Sequence, residues 1–410
     1  MYSSQCLRRS LHGPVLATAS ILLLFGFPAA VRGAASPPAS EGRPPVAVLL
    51  IAPSIQAFRV DIASLLISPS WTAEANQAQA FFGRSVRTAG DVNGDGFSDV
   101  IVGAPGYDNG ESGEGRAWLY LGSATGLSPN PSWTAESDQA GAGFGASVGT
   151  AGDVNGDGYD DVIIGAPDYS GDQEGEGRAY VYLGSAGGLS AAPAWTADGD
   201  QAYAGFGCSV GMTGDVNGDG YADVIVGACR YDDGETDSGR ACVYQGSPGG
   251  LSPAAAWTAE GNQVGASFGS SVGTAGDVNG DGYADVIVGA ALYDNGQTDE
   301  GRVFLYRGSP GGLATNASWT AESDQEGARF GCSVGTAGDV NGDGFSDLVV
   351  GADRFDNGEA DEGRAYLYRG SSIWPGASPT WTAEGDQQSA GLGVSVGTAG
   401  DVNGDGYADV

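Results

Sequence analysis

The chain has 410 residues, with 51 acidic side chains against 17 basic ones and a formal net charge of −34. This imbalance excludes a nucleic-acid or anionic-membrane partner, because both need a basic footprint. All 17 basic side chains are Arg, there is no Lys, and the single His is His12 near the N-terminus. The rest of the chain therefore has no means of building a Ser-His-Asp triad, a His-ligated zinc site, a Schiff-base lysine or a P-loop lysine, which leaves paired carboxylates or Tyr as catalytic chemistries.

In chain order, the first segment has the form of an export signal. Arg8 and Arg9 precede an apolar stretch centred on Ile21-Leu22-Leu23-Leu24-Phe25, and Gly33-Ala34-Ala35 offers small residues for cleavage. We read 1–35 as a signal peptide and 36–67, rich in Ala, Pro and Ser at its start, as a linker and N-terminal segment. Val46–Ile51 is too short to span a bilayer. This places the mature protein outside the cell or on its surface, with the periplasm as the alternative compartment. Membrane association would require an anchor outside this sequence.

From residue 68 onward the chain is periodic. Asp-Val-Asn-Gly-Asp-Gly starts at Asp91, Asp153, Asp215, Asp277, Asp339 and Asp401, always 62 residues apart. Trp71, Trp133, Trp195, Trp257, Trp319 and Trp381 share one position of the period, and Gln77, Gln139, Gln201, Gln263, Gln325 and Gln387 another. Phe82, Phe144, Phe206, Phe268 and Phe330 share a third, replaced by Leu392 in the last copy, and each is followed by Gly, one variable residue and Ser-Val. A fixed period of this length indicates stacked supersecondary units.

In the copy that begins at Phe268, strand A is expected at about 269–274, an acidic loop at Asp277–Asp285 and strand B at Val286–Ala290. An acidic turn at Tyr293–Gly296 leads to strand C, Arg302–Tyr306, and strand D lies around Trp319. Four antiparallel strands per unit make a propeller blade. The fold class is all-β, a β-propeller with blades at about 79–136, 141–198, 203–260, 265–322 and 327–384, and a partial blade at 389–410. Trp71 is expected in an isolated strand D ahead of the first blade.

The acidic loop has oxygen donors at its positions 1, 3, 5 and 9 and a backbone carbonyl at position 7, with Gly at position 6 allowing the sharp turn. The candidate ligands are Asp91, Asn93, Asp95, Phe97 and Asp99; Asp153, Asn155, Asp157, Tyr159 and Asp161; Asp215, Asn217, Asp219, Tyr221 and Asp223; Asp277, Asn279, Asp281, Tyr283 and Asp285; Asp339, Asn341, Asp343, Phe345 and Asp347; and Asp401, Asn403, Asp405, Tyr407 and Asp409. An all-oxygen set with this many donors suits calcium better than magnesium and argues against zinc or copper. An EF-hand is excluded because positions 10–12, such as Val100-Ile101-Val102, are strand residues rather than a helix with a bidentate Glu. About one calcium per loop is expected.

Other positions recur for packing. Arg116, Arg178, Arg240, Arg302 and Arg364 open strand C and are expected to pair with the neighbouring acidic turn. The Trp and Gln positions read as blade packing and turn hydrogen bonding. Tyr107, Tyr169, Tyr231 and Tyr293, with Phe355, sit in the B–C turn, as a binding rim or as half-buried anchors. Cys208 and Cys229 could face each other across the hairpin about the Asp215 loop, while Cys229 with Cys242 is an equal alternative and free thiols a third; Cys332 stands apart.

Phe-Gly-x-Ser-Val, the acidic loop and then Val102-Gly103-Ala104-Pro105 or Ile164-Gly165-Ala166-Pro167 together resemble the FG-GAP repeat. The resemblance covers about 71–410. Later copies depart from it, with Cys229, Ala291 and Asp353 in place of the Pro. It implies an integrin-α-like propeller with calcium in the A–B hairpins, usually of seven blades, so the present chain is expected to be a fragment. The function expected is a non-catalytic protein- or glycan-binding adhesion module, its extracellular partner unidentified. The alternative is the propeller portion of a secreted hydrolase or lyase that works through carboxylates.

Overall fold

Short β-branched runs separated by Gly- and Asp-rich turns pair with their chain neighbours, since tight hairpins close antiparallel strands at the least cost in chain entropy. The computed structural model describes residues 69–410; the expected signal peptide and linker lie outside them. Among the described residues there is no helix, and twenty strands form five four-stranded antiparallel sheets, each ordered A-B-C-D along the chain. Strands A are Ser85–Gly90, Ser147–Gly152, Phe206–Gly214, Phe268–Gly276 and Phe330–Gly338. Strands B are Asp99–Ala104, Asp161–Ala166, Asp223–Ala228, Asp285–Ala290 and Asp347–Ala352. Strands C are Arg116–Tyr120, Arg178–Tyr182, Arg240–Tyr244, Arg302–Tyr306 and Arg364–Tyr368, and strands D Trp133–Glu136, Trp195–Asp198, Trp257–Glu260, Trp319–Glu322 and Trp381–Glu384. These are the blades of a β-propeller, numbered 1 to 5 here.

The core lies between blades. Strands B and C are apolar on both faces, and their alternation sends successive side chains to opposite neighbours. Val162, Ile164, Tyr180 and Tyr182 of blade 2 pack with Ile101 and Leu119 of blade 1, whereas Ile163 and Val181 pack with Val224, Val226 and Tyr244 of blade 3. The same arrangement repeats through blades 3, 4 and 5.

Strands A of successive blades lie side by side, and the repeated Ser joins them. The Val148 N–H donates to Ser85 Oγ at 3.1 Å, and Val210, Val272, Val334 and Val396 donate likewise to Ser147, Ser209, Ser271 and Ser333. Replacing Ser209 by Ala leaves the Val272 N–H without this acceptor. A loss of about 1 kcal/mol is expected in urea unfolding; an unchanged midpoint would show that the hydroxyl contributes nothing.

The repeating Trp and Gln act as packing and turn hydrogen bonds. The Trp133, Trp195 and Trp257 indole N–H groups donate to Ser190, Ser252 and Ala314 carbonyls of the following blade. Their rings meet Tyr182, Tyr244 and Tyr306 edge-on. Gln139 bonds both ways with the Ser170 backbone, tying the D–A connection to the B–C turn, and Gln77, Gln201, Gln263 and Gln325 repeat the pair.

Two expectations differ at the chain's edges. Residues 71–76, where an isolated strand D was expected, form no strand. Strand A of the sixth repeat is also unformed, marked only by isolated bridges of Leu392 to Gly363 and of Gly400 to Asp409. Both segments lack a full complement of paired strands, and an isolated ladder is marginal in water.

Candidate metal centres

Each of the first five acidic loops is a hairpin between strands A and B, at the end of its sheet where C turns into D, and the sixth follows the same turn with only the Gly400–Asp409 bridge closing it. The B–C turns and D–A connections lie at the opposite end. The tight hairpin is built on left-handed Gly: in the second loop Gly156 and Gly158 have φ of 75° and 90°.

The same loop shows what its acids do. Asp153 Oδ1 accepts from the Gly156 and Asp157 N–H groups at 2.7 and 3.0 Å, and its Oδ2 from Gly158 at 2.8 Å. Asn155 Oδ1 accepts from the Asp157 N–H, and its amide donates to Asp157 Oδ2. Asp157 Oδ1 accepts from the Tyr159 N–H at 3.1 Å. With small variations the other loops repeat the Asp bonds at position 1, from Asp91 to Asp401. The side chains at positions 1, 3 and 5 thus share one turn, whose peptide carbonyl at position 7 belongs to Tyr159 or its counterparts.

The position-9 acids stand in a different environment, at the start of strand B. Asp99, Asp161, Asp223, Asp285 and Asp347 are fully buried. Each accepts one N–H from position 2 of its own loop and one from the C–D turn, as Asp161 does from Val154 at 3.0 Å and Gly184 at 2.8 Å. None pairs with an Arg among the described residues. Burial, opposed by those two N–H bonds and reinforced by the charges at positions 5 and 1, raises the Asp161 and Asp285 pKa values to about 7 and that of Asp223 to about 6. A buried carboxylate with no countercharge is costly. The oxygen-only donor set and the missing countercharge both fit a hard cation.

One feature escaped sequence reasoning. The hairpins touch each other. The position-8 N–H of each loop donates to the position-1 carbonyl of the loop before it, from Asp160 to Asp91 and from Ala222 to Asp153 through to Ala408 and Asp339. The aromatic at position 7 covers the preceding loop's Gly at position 4: a Cβ on Gly156 would lie 2.6 Å from Tyr221. The only signal in the sequence was the unbroken aromatic character of position 7.

The strand-C Arg residues are structural, but their partner differs from the expected one. Arg116, Arg178, Arg240, Arg302 and Arg364 pair with Glu136, Asp198, Glu260, Glu322 and Glu384 at the end of strand D, not with the acids of the B–C turn. The register explains this, since each Arg lies directly opposite its acid across the C–D ladder. The B–C aromatics lie under the guanidinium groups instead, 3.5 Å from Arg240 to the Tyr231 centroid and 3.9 Å from Arg364 to that of Phe355. They are anchors rather than a rim.

Cys208 and Cys229 are brought together, as the first hairpin pairing expected, but as free thiols: the Cys229 N–H donates to Cys208 Sγ at 3.2 Å. Cys242 is buried in the interblade core, away from that pair, and Cys332 is also free.

Exposed apolar side chains break the repeat at both ends: beside the acidic hairpins, Ile373 in the C–D turn of blade 5 is 84% exposed. At the opposite end, Tyr203 and Val264 on D–A connections and Phe81 just ahead of the first strand A are 55%, 59% and 64% exposed. Most other blades have small residues at these three positions. No helix among the described residues is long and apolar enough to cross a membrane.

The family model for the FG-GAP repeat matches residues 82–120, 144–182, 209–244, 268–306 and 330–368, one match per blade. Integrin alpha-PS2 of Drosophila melanogaster is 33% identical over 226 residues, 52% of this chain and 15% of that protein. Integrin alpha-5 of Xenopus laevis is 31% identical over 241 residues, covering 56% and 22%, and integrin alpha-IIb of Mus musculus 36% over 177 residues, covering 41% and 17%. The chain thus spans less than a quarter of the length of these relatives. Among solved structures, the exotype rhamnogalacturonan lyase YesX aligns with 77% of this chain and 66% of its own at 14% identity and a TM-score of 0.33, too slight a likeness to bear on function.

Proposed function

This chain belongs to the FG-GAP repeat family, with a propeller similar to that of integrin α chains, and on that premise we propose a secreted or cell-surface, calcium-binding, non-catalytic module that binds an extracellular protein or glycan. The observation that carries the binding role is a group of exposed apolar side chains that interrupt the repeat at the end of the blades opposite the acidic hairpins. One end repeats the same acidic hairpin almost without change. The other exposes Phe81, Tyr203 and Val264 where the repeat is broken. Recognition needs an asymmetric surface with aromatic anchors, and repeated scaffolding does not.

Calcium would be held by positions 1, 3, 5 and 9 and the position-7 carbonyl of each hairpin, with Asp153, Asn155, Asp157, Tyr159 and Asp161 as the example. Bound there, it would supply the positive charge that the buried position-9 carboxylate lacks and brace the hairpin to strand B. Reaching that geometry requires the position-1 carboxylate to share its oxygens between the ion and the loop amides. A catalytic role is not favoured, because the acids recur blade after blade, whereas a carboxylate enzyme needs one asymmetric pair.

The test is an array of extracellular-matrix proteins and glycans probed in calcium and in EDTA. Binding to one class is expected, lost in EDTA, with Tyr203→Ala and Phe81→Ala each weakening it about tenfold or more while leaving the melting temperature unchanged. No binding by the folded protein, or binding indifferent to both substitutions, rejects this reading.

A further inference from the structure

Two thiols of blade 3 share one place, at the start of strand A and just past the end of strand B. The Cys229 N–H donates to Cys208 Sγ at 3.2 Å, and the two sulfurs are within hydrogen-bonding reach of each other. Both are partly exposed, whereas Cys242 on strand C is buried. A bulge brings them together. Phe206 pairs with Ala228 and Ser209 with Gly227, so Gly207 and Cys208 have no partners in the ladder and the strand bends there. The backbone is held on both sides, with the Cys208 N–H donating to the Gly205 carbonyl and the Arg230 N–H to that of Ala204.

The same two positions recur in every blade, and blade 3 alone fills both with Cys. Blade 1 has Arg84 and Pro105 there, blade 2 Ala146 and Pro167, and blade 4 Ser270 and Ala291. Blade 5 keeps the first as Cys332 but places Asp353 at the second, so no thiol meets it. The whole chain has five Cys in 410 residues, and two of them fall on one facing pair. Packing alone does not ask for this, since small apolar or hydroxyl side chains fill the same space in the neighbouring blades.

The two sulfurs are not equivalent. Cys208 Sγ has the Gly227 and Gly269 carbonyl oxygens at 3.5 and 3.7 Å, which accept from a thiol and repel a thiolate. Burial raises its pKa. The hydrogen bond that Cys229 receives from Cys208 lowers the Cys229 pKa against the effect of burial, and the adjacent Arg230 guanidinium adds to it. The thiolate is the nucleophile in disulfide exchange, so Cys229 is the sulfur that attacks first.

We propose that Cys208 and Cys229 form a disulfide that locks strand A to strand B of blade 3, made by exchange with a low-molecular-weight disulfide. The Cys229 thiolate attacks one sulfur of that molecule, whose S–S bond breaks and releases a thiolate. Cys208 then gives up its proton and attacks Cys229 Sγ, breaking the mixed disulfide and releasing the second thiolate. The protein thiols lose two electrons and two protons, and the small disulfide becomes two thiols. The link closes the loop from Cys208 to Cys229, which contains the hairpin Asp215–Asp223, and so restricts the unfolded chain. It also fastens the backbone on which Ala204 and Arg230 bond, next to Tyr203. Neither calcium in the hairpins nor the adhesion reading is needed for it.

The experiment is non-reducing peptide mapping of the full chain after incubation with oxidised glutathione, with thermal melts in oxidised glutathione and in dithiothreitol. A linked pair of peptides carrying Cys208 and Cys229 is expected, with a melting temperature about 5 °C higher in the oxidised sample. A variant carrying both Cys208→Ser and Cys229→Ala reproduces the Ser270 and Ala291 pair that blade 4 accommodates. It should fold and melt at the same temperature in both conditions. In Cys208→Ser alone, Cys229 should stop at the mixed disulfide with glutathione. Two free thiols in oxidised glutathione, a link from either of them to Cys242 or Cys332, or a link that leaves the melting temperature unchanged overturns the proposal.

Discussion

Removing divalent cations with EDTA is expected to lower the melting temperature by about 10 °C relative to 1 mM calcium. Extracellular calcium sites bind with dissociation constants of roughly 10⁻⁴ to 10⁻³ M, and at the tighter limit 1 mM calcium contributes about 1.4 kcal/mol per site by linkage. Six hairpins would contribute about 8 kcal/mol, comparable to the stability of a whole domain. With unfolding entropy scaling with chain length, that corresponds to about 10 °C for a propeller of this size. Magnesium at the same concentration should restore less, because it dehydrates reluctantly and demands a stricter octahedron.

The contacts between hairpins sharpen this expectation. Each loop donates to the carbonyl of the loop before it and lays its aromatic on that loop's Gly, so a loop that loosens without its ion deprives its neighbour of a backbone partner. Loss of calcium should therefore spread around the face rather than stay local, as nearest-neighbour coupling in repeat arrays predicts. Calorimetry in calcium and in EDTA decides the matter. Melting temperatures within about 2 °C of each other would mean that the acids serve only as caps for the loop amides.

What could be read in advance was whatever repeats within one unit. The period placed the acidic loop between strands A and B, and strand C at Arg302–Tyr306 was located to the residue because its alternation and flanking turns are local. Strand A was placed short, at about 269–274, and the observed strand runs from Phe268 to Gly276 through two irregularities in its pairing. The missing parts are contacts across the period. That Ser209 accepts from Val272, that Tyr221 covers Gly156 and that Trp195 reaches Ser252 all depend on how blades stack, and a single unit carries no trace of that. The Arg partner was missed for a related reason: the B–C turn is nearer in sequence, but the C–D register sets Glu260 directly opposite Arg240.

The same stacking gives the repeat's glycines a purpose and a severe test. Gly227 lies in strand B of blade 3 with no left-handed conformation, so Ala suits its backbone. The space does not: an added Cβ would sit 2.0 Å from the Gly269 carbonyl oxygen of the next blade, whose Cα is 3.4 Å away. Gly103, Gly165, Gly289 and Gly351 meet Gly145, Gly207, Gly331 and Gly393 in the same way, at 1.9 to 2.0 Å. The Gly after each Phe and the Gly after strand B's β-branched run are therefore one contact, seen from adjacent blades. Both sides are backbone, with strands paired on either hand, so the clash can be relieved only by parting two blades. Gly227→Ala is expected to cost about 3 kcal/mol or more. Gly335→Ala in strand A supplies the control, since it has an ordinary backbone and nothing within 4 Å of the added Cβ; it should change stability by less than about 1 kcal/mol. Urea unfolding of both variants in calcium separates the outcomes. Equal, small losses would mean that blades slide apart freely and that close glycine contact is not what sets their spacing.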